Sequence, residues 1–339
     1  MRSAFGYDFD VPAGYLNTAS IGIPAVPVAD AVMASLRDWR TGTGRPADYD
    51  QPVAEARAAY ARLVGVPEDR VAIGGSVSEL VGLVAASLPS GSRVLVVRGD
   101  FTSVTWPFAA QAGRGVTVTE VELDKLAERA ADADLVAVSV VQSADGRLAD
   151  LDALRAAQAD GTRILLDATQ ATGWLDHDLG WADVVVGGAY KWLLVPRGVA
   201  WMAVHPDYEL VANNAGWYAG DDVWSSVYDL PLRLAKNARA YDTSPAWYCH
   251  VGAAVALPLL AGLDRAAVQK HCVGLADGFL AGLGLPPQGS AIVSVRLPDA
   301  GARLAAAGVV AAQRGAGTRL SFHLYNTEAD VARALNALV

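Results

Sequence analysis

The chain has 339 residues, 53% hydrophobic and 19% charged, enough to bury a large core and longer than one core usually grows. Its formal net charge of −9 gives no basic footprint for nucleic acid or an anionic membrane surface. The N-terminus, MRSAFGYDFDVPAGYLN, lacks an apolar signal core, no apolar run is long enough to span a bilayer, and two cysteines make no disulfide framework, so a cytoplasmic protein with free thiols is expected.

From residue 50 to 205, short β-branched runs alternate with Ala- and Leu-rich helical stretches, the pattern of a parallel α/β sheet. The expected strands are VAIG (71–74), RVLVV (93–97), VTVTEV (116–121), LVAVSV (135–140), RILLD (163–167), DVVVG (183–187) and VAWMAV (199–204). Beyond Pro206 a Trp- and Tyr-rich irregular segment leads to helices near 246–262 and 264–283, then a weak strand (291–297), a helix (303–308), RLSFHL and a final helix, TEADVARALNAL. The organisation predicted is a large α/β domain at 15–225 and a smaller α+β domain formed by 1–14 with 226–339. Cys249-His250 and His271-Cys272 have neither CxxC nor HxxxH spacing, and no metal site is expected.

Ligands of open parallel sheets gather where the strands end. After VAIG comes Gly75-Ser76-Val77-Ser78-Glu79, small and hydroxyl residues at a strand-to-helix turn, which reads as a capping turn or an anion site. Neither GxGxxG nor GxxxxGK[ST] is present. RILLD ends in Asp167, and an aspartate closing an apolar strand caps a helix or serves a partner charge. Lys191 is one of only four lysines and stands in VVVGGAYKWLLV, where an ammonium is costly unless it snorkels to water or its pKa falls. A phosphate turn, a carboxylate for a pyridine nitrogen and a buried amine for an aldehyde together suit pyridoxal 5'-phosphate.

DATQATG followed by DVVVGGAYKWLLVPRG resembles the class V aminotransferase family of fold-type-I pyridoxal-phosphate enzymes. The similarity runs from YLNTASIGIP (15–24) to RLSFHLYNTEADV (319–331) and is nearest to its isopenicillin N epimerase-like and cysteine desulfurase-like branches. The resemblance implies a seven-stranded, mostly parallel sheet and a homodimer acting on an amino acid. It further implies that Lys191 forms the Schiff base and shuttles protons at Cα, that Asp167 keeps the ring nitrogen protonated, and that Gln170 meets the ring's phenolic oxygen. Phe101 would stack on the ring, and Val77 and Ser78 would hold the phosphate together with Ser244 from across the dimer. Arg319 would clamp the substrate α-carboxylate.

The pattern also departs from the family. Ala189 stands where a phosphate-binding serine is common, and Ser143 where an asparagine often makes a ring or carboxylate contact. Residues 285–318, where desulfurases carry a persulfide cysteine, are short and contain none. Epimerisation or β-elimination without a cysteine nucleophile is the expected chemistry, with transamination, or a catalytically silent binding subunit, as the alternative.

Overall fold

The computed structural model describes all residues, 1–339. A hairpin, β1 (Arg2–Ala4) and β2 (Tyr7–Phe9), precedes helices α1 (Val26–Thr41) and α2 (Asp50–Val64). There follow β3 (Val71–Gly74), α3 (Val77–Ser87), β4 (Arg93–Val97), α4 (Thr102–Ala109), β5 (Thr117–Val121), β6 (Leu135–Ser139), α5 (Leu151–Ala159), β7 (Arg163–Asp167), β8 (Val184–Gly188) and β9 (Ala200–Val204). The remainder comprises α6 (Trp247–Ala261), α7 (Arg265–Gly282), β10 (Ile292–Val295), α8 (Ala300–Ala306), β11 (Ala312–Arg314), β12 (Gly317–Ser321) and α9 (Glu328–Leu338).

All seven strands expected between residues 71 and 204 form, in one sheet of order β3-β9-β8-β7-β6-β4-β5. The sheet is mostly parallel, as expected, with β9 alone running antiparallel to its neighbours β3 and β8. Successive side chains of a strand face opposite sides, and here both sides are covered. Val136 and Val138 enter one core while Leu135 and Ala137 enter the other, and Ile164 and Leu166 are split from Leu165 in the same way. Burial on both faces is why β3, β4 and β6 to β9 read as apolar runs, whereas the largely exposed edge strand β5 alternates.

β10, β12 and β11 form a separate three-stranded antiparallel sheet, whose own apolar core includes Leu275, Phe279, Phe322 and Leu16. α6 joins the larger core through Ala253, Ala256, Leu257 and Leu260, although it lies beyond Pro206 in the chain. No single helix is long and apolar enough to cross a membrane.

Residues 15–22 lie between the two sheets. Tyr15 bridges to Val310 and Asn17 to Ser321, while the Gly22 amide donates to Tyr190 O at 2.9 Å. Gly22 fits because it has no side chain: a Cβ there would lie 2.0 Å from Lys191 O. A buried ion pair anchors the other flank, with Arg57 of α2 donating to both oxygens of Asp242 at 3.1 and 2.6 Å. The Ile73 amide of β3 also donates to Asp242, at 2.9 Å.

Removing one partner of a fully buried pair strands the other charge, so Arg57→Met is expected to cost about 3–5 kcal/mol. Urea unfolding followed by tryptophan fluorescence measures it. A loss below about 1 kcal/mol, the range of an exposed pair, would contradict this.

Candidate functional site

β3, β4, β6, β7 and β8 run the same way, so their carboxyl ends open on one edge of the sheet. Because β9 is reversed, its amino end reaches that edge, and Arg197, Gly198 and Val199 arrive there with it. The edge encloses a cavity of about 220 Å³. Of the residues expected at the site, Val77, Ser78, Phe101, Ser143, Asp167, Gln170 and Lys191 line it. Arg319 and Ser244 do not.

One wall is the turn Gly75–Ser78. Ser76 is extended and caps α3, its hydroxyl accepting from the Glu79 amide at 3.3 Å, while Glu79 Oε2 accepts from the Gly75 amide at 2.7 Å. The first-turn amides of Val77 and Ser78 have no carbonyl within the helix to meet, and they face the positive end of its dipole.

Opposite lies Lys191, 6% exposed. Its Nζ is 5.1 Å from the centre of the Phe101 ring and 5.5 Å from that of Tyr190. Burial pushes its pKa down to about 8, against the pull of Asp167 and with help from Arg319, Arg314 and Arg197. The amine is therefore largely neutral at moderately alkaline pH, the form in which it is a nucleophile and a base. Asp167, at the end of β7, is also buried, and that burial raises its carboxyl above the ordinary range despite a bond from the Thr169 amide at 2.9 Å and the nearby charge of Lys191.

Gln170 and Ser143 belong to one hydrogen-bonded chain. Gln170 Nε2 donates to Ala19 O and to Ser143 Oγ, each at 3.1 Å, and Gln170 Oε1 accepts from Trp192 Nε1 at 2.7 Å. Both amide hydrogens are thus engaged, and a bond from Gln170 to a cofactor oxygen requires one of them to be released. Ser143 Oγ also accepts from Arg319 Nη1 at 3.2 Å, so its lone pairs are taken and its own hydrogen is left to donate.

Arg319, on β12, lies behind Ser143 and is 1% exposed. Nη1 donates also to Ser143 O at 2.5 Å and Nη2 to Ser20 Oγ at 2.7 Å, whereas Nε has no partner. Burial, reinforced by Arg314, lowers its pKa to about 10. A buried guanidinium bonded only to neutral oxygens, with its Nε unpartnered, is suited to an anion.

Ser244 lies outside the cavity, its hydroxyl accepting from Trp217 Nε1 at 2.9 Å. Ala189, at the position where a serine was expected, is packed in the apolar core. The sequence reading assigned no role to Tyr190 or Arg197, which both line the cavity, with the Arg197 guanidinium 5.2 Å from the Tyr190 ring centre. The signal for them in the sequence is the Pro196-Arg197-Gly198 run shortly after Lys191.

The family described as Aminotransferase class-V matches residues 15–294. The uncharacterized aminotransferase YcbU of Bacillus subtilis (strain 168) is 28% identical over 310 residues, 84% of this chain and 82% of that protein. The isopenicillin N epimerase of Streptomyces clavuligerus is 28% identical over 183 residues, 48% of this chain and 46% of the epimerase. Among solved structures, the cystine C-S lyase C-DES, in complex with its reaction product cysteine persulfide, superposes with a TM-score of 0.84 at 20% identity, covering 97% of both chains. That likeness is one of fold.

The titration of Lys191 can be read directly by competitive acylation of its amine with a small anhydride across pH, followed by mass spectrometry. Half-maximal reactivity is expected at about pH 8. Since Asp167 holds the value up, Asp167→Asn should move the midpoint lower; a midpoint near that of an ordinary lysine, about 10.4, would refute the environment described.

Proposed function

We propose that this chain, which belongs to the class V aminotransferase family and depends on pyridoxal phosphate, works at the α-carbon of an amino acid through Lys191, by epimerisation or β-elimination and without a cysteine nucleophile. The observation that carries the reading is a buried amine of lowered pKa sharing one cavity with a buried carboxyl, with an unpaired guanidinium behind its wall.

The residues present fit the cofactor. Asp167 makes no salt bridge with a cation of the chain, and a protonated pyridine nitrogen would supply one. The amides of Val77 and Ser78 would take the phosphate at the start of α3, and Phe101 would cover the ring. Ser244 would reach the phosphate of a second copy in a homodimer. The exposed Trp224, Tyr228, Leu230 and Leu232 support such a contact surface. A working division into a large domain (15–225) and a small one (1–14 with 226–339) belongs to the same proposal. The separate core around β10–β12 supports it, with α6 as the helix that crosses over.

Bound pyridoxal phosphate supplies an electron sink for the pair left on Cα when its proton departs. Asp167 holds the proton at the ring nitrogen that makes the sink effective. Arg319 takes the α-carboxylate through its unmet Nε–H, helped by the hydrogen of Ser143, and this fixes which bond at Cα stands across the ring. Lys191 is then the base that removes the Cα proton. Delivery of a solvent-derived proton to the opposite face gives epimerisation, and expulsion of a β-substituent with the electron pair left on Cα gives elimination.

Neither cysteine lines the cavity, which supports a reading without a cysteine nucleophile. Cys272 is fully buried, 4.0 Å from His323 Nδ1, and burial drives its pKa up. Cys249 donates to Arg197 O at 3.3 Å and is likewise raised by burial. Transamination is the second reading, favoured by the name of the Bacillus relative, and it begins with the same proton loss.

Borohydride reduction of the holoenzyme followed by peptide mapping is expected to place the pyridoxyl group on Lys191, and Lys191→Ala should lower turnover roughly 100-fold to 10,000-fold. A turned-over amino acid should exchange its α-proton with deuterated solvent. Assays for the inverted enantiomer, for pyruvate with ammonia, and for a 2-oxo acid separate the three outcomes. The label on another lysine, turnover without exchange, or a folded but inactive Cys249→Ser, Cys272→Ser double variant would each overturn its part of the proposal.

A further inference from the structure

The hairpin β11–β12 brings a second arginine to the anion site. Ser20 Oγ accepts from Arg319 Nη2 at 2.7 Å and from Arg314 Nη2 at 3.2 Å, while donating its own hydrogen to Asn17 Oδ1 at 2.7 Å. Two guanidinium groups therefore converge on one neutral hydroxyl, and neither takes part in an ion pair with a carboxylate of the chain. The other polar contact of Arg314 is Nη1 to Gln313 O at 2.8 Å, which leaves Nε–H free. Like charges held this close repel unless an anion comes between or beside them.

The two arginines differ in depth. Arg319 is buried behind Ser143, on the Cα side of the site, whereas Arg314 is exposed at the end of β11, towards solvent. A ligand that met only Arg319 would leave Arg314 uncompensated. Both guanidinium groups act electrostatically on the Lys191 amine, so Arg314 as well as Arg319 lies within range of the cavity.

We propose that the preferred substrate is an amino acid with a second carboxylate on its side chain, and that Arg314 recognises that group. This rests on the reading of Arg319 as the holder of the α-carboxylate. Arg314 is a specificity residue with no part in the proton transfer at Cα.

The test is a spectral titration of holoenzyme with isosteric pairs, L-glutamate against L-glutamine and L-aspartate against L-asparagine, following the cofactor absorbance rather than turnover. The acidic member of at least one pair should bind about tenfold tighter, as a charge-assisted contact gives. Arg314→Gln should collapse that ratio towards one, Arg314→Lys should keep part of it, and raised salt should shrink it. Arg319→Gln should weaken both members of a pair alike. Equal binding of acid and amide by the wild type, or a ratio that survives Arg314→Gln, would overturn the assignment of Arg314 while leaving the α-carbon chemistry standing. If no amino acid of either kind perturbs the cofactor spectrum, although borohydride still fixes the cofactor to Lys191, both this proposal and the substrate reading beneath it fall.

Discussion

Two cations held out of water without a carboxylate partner set the terms for this fold. Arg319 is bonded only to a backbone carbonyl and two hydroxyls, and Lys191 stands among aromatic rings with its charge disfavoured. Burying such groups opposes folding, and it persists only if surrounding structure overdetermines it. Here the overdetermination comes from a sheet covered on both faces, which fixes the ends of five parallel strands along one edge. An anionic ligand held as proposed would relieve that cost, and binding and local stability would then be coupled.

The electrostatics of the cavity are asymmetric in a useful way. The arginines and the surrounding apolar shell push Lys191 towards its neutral form, while Asp167, itself raised by burial, opposes them. An anion delivered to Arg319 would weaken one of the forces that keep Lys191 neutral. Ligand charge and proton affinity of the amine thus act on each other through a few residues, without any movement of the sheet.

Much of this was legible in the sequence, because burial on both faces writes a strand as a plain apolar run. VAIG, RVLVV and RILLD coincide with β3, β4 and β7. Lys191 and Asp167 were readable for the same reason, each being a charge that an apolar run would not carry without cause. Direction is not written in such a run. β9 looks like its neighbours, and its reversal, which delivers Arg197 to the cavity, depends on how the chain returns after Lys191. The network from Ala19 through Gln170, Ser143 and Arg319 to Ser20 and Arg314 was equally illegible, since it joins residues up to 299 positions apart. Reading Gln170 and Ser143 separately missed that each already holds the other.

The short N-terminal strap at 15–22 also bears on the order in which the protein can be assembled. It is made first, yet its partners are Tyr190, Val310, Arg319 and Ser321. The large sheet can gather while the chain is still being made, but Ser20 lacks its guanidinium partners until Arg314 and Arg319 have emerged. Contacts of such long sequence separation form late and slowly. A nascent chain therefore carries its Lys191 amine before it carries Arg314 and Arg319, and a product truncated before β11 would resemble the enzyme over most of its length while lacking the substrate selection proposed for those two residues.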